Sequence, residues 1–128
     1  MSDMLARLRR KRVLFLDDDP SMQRLVSALL KRGGYRVDTF LTGREAIAAI
    51  ERDGYEVLLL DVMMPHEGGS TVIRHLLKNN PTLLDRALLV TASPEAVLGP
   101  LSKQVAGVVK KPFDSAELLG AVKRVAGK

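Results

Sequence analysis

A chain of 128 residues, 46% apolar and 27% charged, suits one soluble globular domain, because single cores take up roughly 100–150 residues and two half-length domains would each lack interior. No uninterrupted apolar run approaches the roughly 20 residues that cross a bilayer. The lack of cysteine excludes disulfides and thiolate metal sites, and without a signal-peptide pattern the expected compartment is the cytoplasm.

The formal charge of +5 is unevenly spread: Arg7, Arg9, Arg10, Lys11 and Arg12 against Asp3 put +4 into residues 1–12 and leave +1 for the rest. The expectation is a solvated basic leader, residues 1–12, ahead of a domain at 13–126, with the near-neutral body of that domain disfavoured as a nucleic-acid binder.

In chain order, Val13-Leu14-Phe15-Leu16 is a short apolar run that stops at Asp17-Asp18-Asp19-Pro20, the pattern of a buried strand entering a polar turn. Met22, Leu25, Val26, Leu29 and Leu30 then recur at helical spacing until Gly33-Gly34 ends the helix. Tyr35 to Phe40 predicts a second strand, Thr42 a helix cap, and Ala46, Ile47, Ala49 and Ile50 a second helix ending near Asp53-Gly54. Val57 to Leu60, ending in Asp61, is a third strand; a loop with Pro65 and Gly68-Gly69 leads to a helix with Val72, Ile73, Leu76 and Leu77. Ala87 to Val90 is a fourth strand ending in Thr91. Between Pro94 and Gln104 the pattern is poor, and Gly99-Pro100 predicts a short or irregular fourth helix. Gly107 to Lys110 is the fifth strand and Ser115 to Ala126 the last helix.

Strict strand–helix alternation with strands apolar throughout predicts an α/β fold: a single doubly wound (βα)5 domain of three layers around a parallel five-stranded sheet. Reactive groups in such sheets collect at the carboxyl ends of the strands, near the reversal of strand order. Here those ends carry Asp17, Asp18 and Asp19, then Asp61, Thr91 and Lys111. Crowded carboxylates disfavour one another's ionisation unless a cation intervenes, and Mg2+ suits hard oxygen ligands beside a phosphate. The set can support phosphoryl transfer: Asp61 as nucleophile, Lys111 and the metal neutralising the phosphoryl oxygens, and the Thr91 hydroxyl donating to the product.

Leu16-Asp17-Asp18-Asp19-Pro20, Leu60-Asp61-Val62-Met63-Met64-Pro65 with Gly69, Val90-Thr91-Ala92 and Val109-Lys110-Lys111-Pro112-Phe113 together resemble the response-regulator receiver domains of two-component signalling, over residues 13 to 126. The resemblance implies the flavodoxin-like strand order 2-1-3-4-5 and a phosphoacceptor at Asp61. It also implies Mg2+ held by Asp18 directly, Asp17 largely through water, Asp61, and Met63 through its backbone carbonyl, with Thr91 and Lys111 holding the phosphoryl oxygens. It further implies a cis peptide before Pro112, a histidine kinase, phosphotransfer protein or small phosphodonor as source, and output through the face made by the fourth helix, fifth strand and fifth helix. On this reading the chain is a signalling domain that catalyses only its own phosphorylation and dephosphorylation. The chain ends soon after the last helix, so no output domain is expected within it.

One departure stands out. Members of the family commonly carry an aromatic residue three positions before the lysine, and here that position is Val108; output is therefore expected to rely on Thr91 and on backbone movement between Ala92 and Val105.

Alone, an Asp-Asp-Asp turn is more often a solvated loop or helix cap, and a threonine after a strand or a Lys-Pro-Phe turn is ordinary. Their joint occurrence on the right strand ends favours the functional reading. His66 and His75 read as solvated or capping residues, Arg74 and Arg86 as surface charges, and the Met63 and Met64 sulfurs as unsuited to Mg2+. The rival enzyme is an aspartate-nucleophile phosphatase of the haloacid-dehalogenase type using Asp17 and Asp19. Ser21 stands where that signature wants threonine or valine, no later acidic pair follows, and no cap is present. A third class is a phosphorylation-independent binding module, against which the intact acidic set argues.

Overall fold

A computed structural model describes residues 10–65, 67–92 and 99–127. Strands β1 (Arg12–Leu16), β2 (Arg36–Phe40), β3 (Val57–Asp61), β4 (Ala87–Thr91) and β5 (Gly107–Lys110) alternate with helices α1 (Pro20–Arg32), α2 (Gly43–Arg52), α3 (Gly69–Asn79), α4 (Gly99–Ser102) and α5 (Ser115–Ala126). All neighbouring strands pair in parallel, in the order β2-β1-β3-β4-β5, as the resemblance implied.

The strands are apolar throughout because both faces are covered. Leu14, Leu16, Leu58, Leu60 and Leu89 pack on one side with Ala46 and Ala49 of α2 and Val72, Ile73 and Leu76 of α3. Val13, Phe15, Val57, Leu59, Leu88 and Val90 face the other side with Val26 and Leu30 of α1 and Leu118, Val122 and Val125 of α5. Side chains alternate across a strand, so each run of four or five apolar residues feeds both cores. Full burial of each large side chain is worth roughly 1.5–3 kcal/mol, and this holds the strand ends in fixed register.

Local chemistry sets the helix limits. Asp19 caps α1 by accepting from the Ser21 N–H, and Pro20 occupies the first turn, where its missing N–H costs nothing. Gly34, at φ 93, takes the left-handed conformation after α1 that glycine adopts freely. Thr42 caps α2 as predicted, accepting from the Glu45 N–H, and its own hydroxyl donates to Oε1 of Glu45 at 3.1 Å. Asp114 caps α5 through the Glu117 N–H.

Two departures from the sequence reading appear, and one irregularity is as expected. A 3-10 turn, Pro81–Arg86, precedes β4 where no element was predicted. The fourth helix, expected to be short or irregular within 94–104, is described at Gly99–Ser102 with Pro100 in its first turn; residues 94–98 of that segment lie outside the described ones. Two basic residues of the leader also take part in the domain: Arg12 opens β1 and its guanidinium reaches Asp38 at 2.9 Å, and the Lys11 ammonium donates to the Ala126 carbonyl.

Candidate functional site

The carboxyl ends of the strands bring Asp17, Asp18, Asp61 and Lys111 together. Leu16 of β1 lies in register with Leu60 of β3, so Asp17, one residue beyond β1, meets Asp61, the last residue of β3. Both are buried, at 1% and 3% exposure, whereas Asp18 is exposed. One carboxylate oxygen from each of Asp17, Asp18 and Asp61 lies within 4.8 Å of the others. Lys111 reaches over from the turn after β5, with Nζ 3.1 Å from Asp17 Oδ2 and 3.6 Å from Asp61 Oδ2. The Lys111–Pro112 peptide is cis, as the resemblance implied.

Backbone donors orient the two buried acids. Asp17 Oδ1 accepts the Asp19 N–H at 2.9 Å, and Asp61 Oδ1 accepts the Met63 N–H at 2.8 Å. The other oxygen of each carboxylate faces the ammonium. Burial pushes the Asp61 carboxyl above the usual carboxylate range; the Met63 N–H and Lys111 pull it down, and Asp17 and Asp18 push it up again.

Three carboxylates against one ammonium leave a formal −2 in a confined space. The three carboxylates are hard oxygen donors of the kind Mg2+ takes.

Thr91 ends β4 fully buried, beside β3, and its carbonyl accepts the Lys111 N–H at 2.8 Å. Asp19 is not part of the cluster: its carboxylate is used in the α1 cap. His66 falls outside the described residues. His75 sits on α3 with Nε2 2.8 Å from Glu51 Oε1 on α2 and Asn79 alongside, so it joins helices and not the acidic site. Arg86, read from the sequence as a surface charge, donates to the Glu56 carbonyl at 3.3 Å. Val108 is 38% exposed on β5.

Two supports were not legible as site residues. The Gln23 amide on α1 donates to the carbonyls of Asp17 and Phe40, each at 2.9 Å, which fastens the acidic turn after β1 to the end of β2. Gly69 has no room for a side chain, since a Cβ there would stand 2.8 Å from the Asp61 carbonyl oxygen. The sequence marks Gly69 as a loop residue, and nothing in the letters marks Gln23.

Comparison with known proteins identifies the family. Residues 13–123 match the family described as the response regulator receiver domain. The chain is 37% identical over 110 residues to the probable transcriptional regulatory protein TcrX of Mycobacterium tuberculosis, covering 84% of this chain but only 46% of that one. It is 30% identical over 115 residues to Protein PilG of Pseudomonas aeruginosa, covering 88% and 84%. Among solved structures, the response regulator TrrA of Thermotoga maritima, in complex with Mg2+-BeF, superposes with a TM-score of 0.80 at 30% identity, over 90% of this chain and 98% of that one. No helix among the described residues is long and apolar enough to cross a membrane. The chain belongs to the response-regulator receiver domains of two-component signalling.

Proposed function

We propose that Asp61 is the phosphoacceptor of this receiver domain, taken as residues 13–126 behind a basic leader, and that Asp17, Asp18, Asp61 and the Met63 carbonyl hold Mg2+. The observation that carries this reading is the meeting of the buried Asp61 carboxylate with Asp17, Asp18 and Lys111 at the carboxyl edge of the sheet. An Asp61 oxygen attacks phosphorus as the bond from phosphorus to the donor breaks, and the donor departs with that electron pair, leaving an acyl phosphate. When bound, Mg2+ neutralises charge on the phosphoryl oxygens. Lys111 neutralises it from the turn after β5, the Met63 N–H holds the attacking carboxylate in place, and the Thr91 hydroxyl donates to a phosphoryl oxygen.

The donor is a histidine kinase, a phosphotransfer protein or a small phosphodonor, and the expected compartment is the cytoplasm. Output runs through the face of α4, β5 and α5, where Val108 in place of an aromatic residue leaves the change to Thr91 and the backbone after β4. Apart from self-catalysed gain and loss of the phosphoryl group, no turnover is assigned. The use of Asp19 as a helix cap weighs against a phosphatase built on Asp17 and Asp19.

Incubation with acetyl phosphate and Mg2+ should give one phosphoryl adduct by intact mass, mapped to Asp61 and abolished in a folded Asp61→Asn variant; an adduct that persists in that variant overturns the assignment. Without any donor, Mg2+ at a hundred times its Kd should stabilise the fold by about 2.7 kcal/mol, read from denaturant midpoints.

A further inference from the structure

The chain leaves β3 at Asp61 and bends back on itself almost at once. A Cβ on Gly69 would stand 2.8 Å from the Asp61 carbonyl oxygen, and one on Gly68 would stand 2.9 Å from Met64 Cβ. Met63 lies within this bend, half exposed. Its N–H fixes the inner limb by donating to Asp61 Oδ1 at 2.8 Å. The outer limb is fixed by a different helix: the Glu67 carbonyl accepts the Gly43 N–H at 2.6 Å. That N–H is one of the first-turn donors of α2 that have no partner within their own helix, while the Thr42 hydroxyl accepts another, that of Glu45.

The approach is close enough to exclude a side chain at Gly43. A Cβ there would lie 2.7 Å from the Glu67 oxygen, 3.1 Å from its carbonyl carbon and 3.2 Å from the Gly68 oxygen. All three are backbone atoms, so none can rotate aside. The neighbouring ion pair of Arg44 with Glu67 spans 3.5 Å between exposed groups and contributes little, so the backbone bond is the tie. Beyond Gly43, α2 is anchored by the fully buried Ala46 and Ala49. The bend is thus pinned between the buried Asp61 and a helix seated in the core.

We infer that Gly43 is a positioning residue for the cation site: by admitting the Glu67 carbonyl against the start of α2, it holds the bend whose Met63 N–H orients Asp61 Oδ1 and whose Met63 carbonyl is the proposed fourth ligand. This rests on the reading of the acidic cluster as the Mg2+ site. It also makes the Gly43–Glu67 bond a mechanical link, through which cation binding tightens the contact between the bend and α2.

The test is Gly43→Ala. Alanine favours a helix over glycine, so a defect arises from the bend and not from helix propensity. Mg2+ affinity, followed by the amide signals of residues 61–63, should fall roughly tenfold, the lower end of what losing an outer-shell support costs a metal site. Phosphorylation by acetyl phosphate should then return to the wild-type rate at saturating Mg2+, and Arg44→Ala should bind Mg2+ as the wild type does. A folded Gly43→Ala with wild-type Mg2+ affinity overturns the inference. Should that variant fail to fold, the wild-type protein decides: at Mg2+ ten times its Kd, exchange of the Gly43 amide should slow roughly tenfold, and unchanged exchange overturns the inference. A wild-type chain whose amide signals at 17, 18 and 61 ignore Mg2+ sinks the cation site itself, a different result from either.

Discussion

At the amino end of the sheet, Arg12 donates to Asp38 at 2.9 Å, lies 3.8 Å from Asp53 and stacks its guanidinium 4.9 Å from the centre of the Tyr55 ring. The Tyr55 hydroxyl donates to the same Asp38 oxygen at 2.7 Å, and the Arg12 N–H to Glu56 at 2.6 Å; only the buried Nε of Arg12 lacks a partner among the described residues. At the carboxyl end, Asp17 and Asp61 share the ammonium of Lys111, and Asp18 adds a third carboxylate to the cluster. Both ends concentrate carboxylates, yet at the amino end Arg52, 3.2 Å from Asp53, adds a second cation, while at the carboxyl end Lys111 is the one cation paired with the acids among the described residues. Burial pushes Asp38 up, but the hydrogen bonds from Tyr55 and Arg12 outweigh it and its carboxyl ends below the usual value. At Asp61 burial prevails and the carboxyl ends above it. A closed network stabilises the domain, whereas an undercompensated one stores a demand for an outside cation.

The strongest test of that contrast removes the shared ammonium. Lys111→Met keeps most of the side-chain bulk but leaves two buried carboxylates without their only cation among the described residues, which should cost roughly 3 kcal/mol in metal-free protein. Mg2+ should recover a large part of it. Urea midpoints with and without Mg2+ measure both numbers, and a cost that Mg2+ leaves unchanged breaks the contrast.

A smaller effect is expected at the closed end. Tyr55→Phe deletes the hydroxyl that donates to Asp38 and should cost about 1 kcal/mol at neutral pH, with no dependence on Mg2+. Asp38 is lowered in the folded state, so its stabilisation is present above the unfolded carboxylate value of about 3.9 and lost as pH falls through its depressed value. The Tyr55→Phe penalty should shrink in that acidic window. A penalty that varies with Mg2+ would show the two ends to be coupled.

The strands were legible because both faces of the sheet are buried, so Val13 to Leu16 and Val57 to Leu60 stand out as unbroken apolar runs. The site was legible for the same reason: Asp61, Thr91 and Lys111 are the polar residues at or just past the ends of such runs. What the letters hid depends on distant partners or on backbone atoms. Arg12 read as leader and Arg86 as surface charge, since their partners Asp38 and Glu56 lie 26 and 30 positions away. The 3-10 turn at Pro81–Arg86 is too short to show a period. The tie from Gly43 to Glu67 ends on a carbonyl, a group every residue carries and no sequence pattern can single out.

The finest test turns on the sign of the Asp61 shift. Its carboxyl is raised in the folded state, so the stability tied to its neutral form is complete below the unfolded carboxylate value and lost as pH rises through the raised folded value. In protein freed of divalent cations, ionised Asp61 therefore costs stability at neutral pH, and Asp61→Asn, close in shape and neutral, should raise the denaturant midpoint. The gain is held below the Lys111→Met loss because the Met63 N–H and Lys111 already offset part of the burial. It should fade as pH drops below the usual carboxylate range, where the wild-type side chain is protonated as well. Adding Mg2+ should reverse the order of the two proteins, since the wild type gains a ligand that asparagine supplies poorly. A metal-free Asp61→Asn that is less stable than wild type at neutral pH would mean that Lys111 and the backbone donor fully compensate the buried charge, and the carboxyl end would then be as self-sufficient as the amino end.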